Sequence, residues 1–159
     1  MNVTIELFNA SSDDVLPPEQ DFQLWTTTAM AAVAGEASSD LPDSSELSIR
    51  LINEAESASL NESYRQKSGP TNILSFPFTG VNGSDISLLG DIAICAPLVK
   101  KEAAEQDKSE EAHWAHLTIH GVLHLNGYDH EDPASAEEME ALEIRIMNTL
   151  GYDDPYSCK

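Results

Sequence analysis

His120-Gly121-Val122-Leu123-His124-Leu125-Asn126-Gly127-Tyr128-Asp129-His130 is the stretch around which the rest of the chain is organised. Its three histidines are spaced by four and then by six positions. On a helix, residues four apart lie about 40° apart around the axis and one turn along it. His120 and His124 can therefore reach one metal ion together. Gly127 suits the end of that helix, because glycine enters the left-handed region at little cost. The chain can then turn through Tyr128 and Asp129 and offer His130 as a third ligand. Three protein ligands leave a position open, which is the layout of a catalytic zinc site.

The spacing follows the H-E-x-x-H-x-x-G-x-x-H pattern of zinc peptidases at all positions but one. Gly121 stands where those enzymes carry the glutamate that acts as general base. Glycine has no proton to move, so a different chemistry is expected. It is also expected to leave room beside the metal for a bulky group such as a phosphate. The proton acceptor is then water on the metal, a group of the substrate, or His116. His113 and His116 continue the histidine face toward the N-terminus of the helix. His116 can orient a ligand or a phosphate, whereas His113 reads as a surface histidine. Asp129 is either an acceptor for a ligand imidazole or a turn-forming aspartate. Trp114 and Tyr128 flank the helix and can stack on a base, although core packing is the better reading of Trp114.

Outward from this helix the pattern is α+β. Val3, Ile5 and Leu7 alternate with polar residues, as do Leu47, Ile49 and Leu51, and both segments read as half-buried strands. Between them, Phe22, Trp25, Ala29, Ala32 and Val33 mark a helix that follows Pro17-Pro18 and ends near Gly35. Residues 36–45 read as a loop and 56–66 as a short helix. Thr71–Phe78 is an apolar run in which Pro77 predicts an edge strand or a strand end. Val81-Asn82-Gly83-Ser84 is a turn signal, and Leu88–Cys95 a fourth strand interrupted at Gly90-Asp91. A carboxylate in such a run needs a partner. Helices follow over 97–106, over 110–126, and from Pro133 and Ser135 to Gly151. Ser135 and Glu138 have capping-box spacing. Strands come early and helices late, which predicts one domain over residues 1–159. Its helices pack on a small, mixed, four-stranded sheet, with a zincin-like metal helix among them.

The composition narrows the function classes. In 159 residues, 28 acidic side chains face 8 basic ones, for a net charge of −20, and no Lys or Arg precedes Arg50. That field repels nucleic acid as a whole. It reads first as a solubility surface, and second as an acidic N-terminal third that meets a basic protein partner. No apolar run is long enough to cross a membrane. The alternating N-terminus lacks the basic start of a signal peptide, so the expected location is cytoplasmic. Cys95 and Cys158 stand far apart, and a disulfide between them is not expected there.

Several motifs, in order and at compatible spacing, resemble one family. They are Leu60-Asn61-x-x-Tyr64-Arg65, Thr71-Asn72-Ile73-Leu74-Ser75-Phe76-Pro77-Phe78, Leu89-Gly90-Asp91-Ile92 and the histidine motif itself. The family is YbeY, bacterial single-strand-specific endoribonucleases of ribosomal RNA maturation. The match spans residues 60–130, the final helix through Leu150-Gly151-Tyr152 also fits, and residues 1–45 carry little of it. The resemblance implies a zinc ion on His120, His124 and His130. It implies that Arg65, which alone reads as a surface arginine, contacts phosphate, and that His116 is a further site residue one turn before the motif. It implies action at the 3' end of 16S rRNA and in ribosome biogenesis or quality control. The partners implied are RNA and the ribosome or ribosomal proteins, with neither DNA nor membrane. The net charge departs from this picture, so RNA capture is expected to use a local patch drawn from Arg50, Arg65, Lys67, Lys100 and Lys101. Two rival readings stand beside it: a zinc peptidase, and a non-catalytic ribosome-assembly factor with a structural zinc.

Overall fold

The alternating segments form the sheet. The computed structural model describes residues 2–36, 44–78 and 86–156. Strands β1 (Asn2–Asn9), β2 (Ser44–Ile52), β3 (Ile73–Pro77) and β4 (Ile86–Cys95) lie in the order β1-β2-β4-β3. The β1–β2 and β2–β4 pairs are parallel and β3 is antiparallel to β4, so the sheet is mixed and four-stranded as expected. The β1-to-β2 crossover carries helix α1 (Glu19–Ala34), because parallel neighbours need a long connection. Helix α2 (Glu54–Arg65) follows β2, and α3 (Ala96–Glu105), α4 (Glu110–Leu125) and α5 (Pro133–Thr149) complete an α+β fold. Among the described residues, no helix is long and apolar enough to cross a membrane.

Pro77 ends β3, which is an edge strand, so the missing N–H costs no ladder bond in the sheet interior. The expected interruption of β4 does not occur. The strand runs through Gly90 and Asp91, and a register shift against Glu46/Leu47 absorbs the irregularity. Asp91 is exposed rather than buried, and its carboxylate accepts a hydrogen bond from Ser48. The loop expected over 36–45 lies mostly outside the described residues, and the turn at 81–84 and Cys158 lie wholly outside them. Cys95 is buried, and burial pushes its thiol up.

One face of the sheet carries the main core. Ile5, Leu47, Ile49 and Ile92 meet α1 and α4 there. Phe22 packs edge-on against both Trp25 and Trp114, with ring centroids 5.2 and 5.7 Å apart. Trp114 is fully buried in this cluster, as core packing predicts. The opposite face holds a smaller cluster of Ile52, Leu74, Ala93 and Cys95 with Leu60 of α2.

Two ends of helices differ from expectation or explain it. Helix α5 starts at Pro133, which tolerates the first helical position because its missing N–H would be unpaired there. Asp132, not Ser135, is therefore the cap, and it accepts from the Ser135 N–H at 2.9 Å. The end of α4 is as expected. Gly127 has φ +94°, its N–H donates to the His124 carbonyl at 3.0 Å, and the Tyr128 N–H donates to the Leu123 carbonyl at 3.1 Å. This paired closure satisfies two helix carbonyls and reverses the chain toward His130.

Candidate metal centre

The helix and its glycine stop bring three imidazoles together. One ring nitrogen from each of His120, His124 and His130 lies within 4.8 Å of the other two. The His120 and His124 Nε2 atoms are 3.1 Å apart. Nitrogens sharing one tetrahedral zinc at ~2.1 Å would stand about 3.4 Å apart, so the pair needs little adjustment. Burial, then the neighbouring His120 and His130, hold the His124 imidazole down at about 4, in the neutral form a metal requires. On the far side of His120, Nδ1 lies 2.7 Å from Glu143 Oε1. A carboxylate only accepts, so Nδ1 carries the proton and Nε2 turns its lone pair to the cluster. The donor set therefore fits zinc.

Glu143 is fully buried on α5. Burial alone would raise its carboxyl, but hydrogen bonds from His116 and His120 outweigh that and hold it at about 2. Its second oxygen accepts from the Tyr156 hydroxyl at 2.6 Å and lies 3.5 Å from His116 Nε2. Burial and the bond to this anion push the Tyr156 phenol up.

The three histidines open into a cavity of about 760 Å³ along β3. All residues from Thr71 to Pro77 line it, together with Tyr64 and Arg65 from the end of α2. Side chains of a strand alternate between faces, so a cavity touching every residue runs along the strand's edge. Arg65 is exposed and has no ion pair among the described residues. Three of the other bases are paired elsewhere. Arg50 pairs with Glu56 at 3.0 Å, Lys100 with Asp13 at 2.7 Å and Arg145 with Glu36 at 3.0 Å. Lys67 and Lys101 do not line the cavity, so of the five bases only Arg65 lines it.

Gly121 does not leave space beside the metal. A Cβ there would stand 2.9 Å from Ile73 Cδ1 and 3.0 Å from Ile92 Cδ1. The glycine instead lets α4 lie close against β3 and β4, and the expectation of room for a phosphate at that point is wrong.

A sequence profile described as Endoribonuclease YbeY matches residues 7–151. The chain belongs to the YbeY endoribonuclease family. RNA is therefore its substrate class and hydrolysis of RNA its activity. In three dimensions the chain is similar to TM1509 from Thermotoga maritima, a solution structure. The TM-score is 0.56 with 22% identity, over 97% of this chain and 99% of that one. That likeness concerns the fold.

Within this YbeY chain, the structure brings His120, His124, His130 and Arg65 to one cavity and leaves His116 outside its lining. The His116 ring lies between Glu143 and Tyr156, 3.3 Å from the Tyr156 hydroxyl. His113 is buried rather than on the surface, with Nε2 2.9 Å from Glu102 Oε1. Glu102 also accepts from Asn72 Nδ2 at 3.0 Å, which ties that helix to the cavity wall. Asp129 accepts from the Glu131 N–H at 3.2 Å, the turn-forming alternative, and Glu143 does what a ligand-orienting Asp129 would have done. Sequence reasoning missed Glu143, although a signal existed. A glutamate falls within the stripe Met139, Leu142, Ile146, Met147 that α5 turns to the core. Tyr156 gave no comparable signal.

Proposed function

We propose that the chain is a zinc-dependent, single-strand-specific endoribonuclease of ribosomal RNA maturation, acting at the 3' end of 16S rRNA. The observation that carries this reading is Arg65, without an ion pair among the described residues, in the same cavity as three metal-competent histidines. Among the described residues no carboxylate lines that cavity, so a phosphodiester meets no like charge from them despite the net −20.

His120, His124 and His130 would hold the metal, which supplies Lewis-acid polarisation of a phosphoryl oxygen. Arg65 offers the phosphate a planar fork of donors and stabilises the negative charge that develops on it. Glu143 keeps the proton on His120 Nδ1, and His116 and Tyr156 hold Glu143 in turn. His116 thus acts through Glu143 as a positioning residue. A zinc peptidase is disfavoured because position 121 faces Ile73 and Ile92, and no described residue of the cavity lining is a carboxylate that could serve as base. The reading places the protein in the cytoplasm, with the ribosome or its proteins as partners.

The test is cleavage of single-stranded RNA by His120→Ala and Arg65→Ala. Each should lose about a hundredfold or more in kcat/KM, with thermal melting of the Arg65 variant unchanged. Unimpaired cleavage by either removes the role assigned to it. Metal analysis of protein purified without added metal should find one zinc per chain, absent from His120→Ala.

A further inference from the structure

Tyr64 precedes Arg65 in the last turn of α2, and both residues line the metal cavity. Tyr64 is 65% exposed, although its ring is large and apolar. Isolated exposed aromatics are ordinary, but this one is not isolated. Phe76, half-buried on β3, meets it edge-to-face with centroids 5.0 Å apart and planes at 69°. That contact fixes the Tyr64 ring against the cavity wall while covering at most one of its faces. A ring held in place loses little entropy when a ligand stacks on it.

We propose that Tyr64, braced by Phe76, is the stacking platform for one unpaired nucleobase beside the phosphate that Arg65 receives. The proposal rests on the endoribonuclease reading and names a subsite within it. Three features of the cavity agree with a base here. Stacking is available to any base, because every base has a π-face. The cavity follows the open edge of β3, whose main-chain groups have one strand neighbour only, so N–H and C=O groups are at hand for the edge of a base. Consecutive helical residues point about 100° apart, so Tyr64 and Arg65 diverge within one cavity and suit a base and its phosphate as separate groups. In a duplex both faces of a base are covered by its neighbours. A platform of this kind therefore selects single strands, and the selection comes from Tyr64 rather than from the metal.

The experiment uses the purified, metal-loaded protein and single-stranded RNA oligonucleotides. 2-Aminopurine is placed at successive positions around the scissile bond, and Tyr64→Ala, Tyr64→Leu and Tyr64→Trp are compared with the unaltered chain. One position should show fluorescence quenching on binding, kept in Tyr64→Trp and lost in Tyr64→Ala and Tyr64→Leu. Tyr64→Ala should raise KM about tenfold or more, with kcat within about twofold. An abasic nucleotide at that position should remove the difference between Tyr64→Ala and the unaltered protein. The exposed position lets the variants melt with the unaltered protein, so misfolding does not imitate the effect. Unchanged KM and unchanged quenching in Tyr64→Ala, with RNA cleavage by the unaltered protein intact, overturn the platform alone. Absence of RNA cleavage in the unaltered, metal-loaded protein overturns the endoribonuclease reading instead.

Discussion

Two grooves meet at the end of β3 and share Phe76 and Pro77 as a wall. The histidine cavity, on one side, has Arg65 and, among the described residues, no carboxylate. The groove on the other side, across the outer face of β1, β2 and β4, is lined by Glu6, Glu46 and Asp91 and, among the described residues, by no cation. The net charge of −20 is therefore not spread evenly. Two further cavities carry acids as well, Asp107, Asp153 and Asp154 in one and Asp21, Glu110 and Glu111 in the other. The contrast teaches that whole-chain charge is a poor guide to what one site accepts. Screening confines an exposed charge to about 8 Å at physiological salt, so the lining of a cavity decides more than the total.

The largest effect expected on the metal side comes from Glu143→Ala. It should weaken zinc 10- to 100-fold by competition titration, because His120 loses the acceptor that fixes its tautomer. An unchanged dissociation constant would mean that the buried carboxylate serves packing alone. Next is an exchange of character between the grooves. Ser75→Asp puts a carboxylate on the cavity wall and should raise KM for RNA by ~5- to 10-fold, since like charges within a few ångströms in partly wet surroundings cost about 1 kcal/mol or more. Glu46→Gln, the reverse change in the other groove, should leave KM within about twofold. Equal effects of the two would show that total charge, not cavity lining, controls RNA capture.

The smallest effect is on the wall itself. Gly121→Ala gains ~1 kcal/mol of helix propensity but sets a methyl 2.9 to 3.1 Å from Ile73 and Ile92. Overpacking costs about 1–3 kcal/mol, so the balance should lower the melting temperature by a few degrees. A rise in melting temperature would mean that Ile73 and Ile92 give way without cost.

The histidine cluster was legible because its geometry is local. A spacing of four within α4 and a glycine just past its end place His120, His124 and His130 with no reference to the rest of the chain. The strands were legible for a similar reason, since alternation in β1 and β2 marks which face is buried. Arg65 was visible only through the resemblance of its motif, and its lack of an ion pair among the described residues only from the folded chain. The same holds for Gly121. As a letter it signalled a missing glutamate, and in the fold it is a contact surface for Ile73 and Ile92.

What the sequence by itself determined is the α+β class, the strand faces, the histidine-bearing helix and its stop, because each follows from a period of two or 3.6 residues or from one residue's backbone freedom. What only the tertiary structure decided is every contact made across elements. Glu143 reaches His120 from α5, Phe76 of β3 braces Tyr64 of α2, and no acid among the described residues was left on the wall beside Arg65. Periodicity tells a side chain which way to face, but the packing of helices on the sheet selects what it meets there.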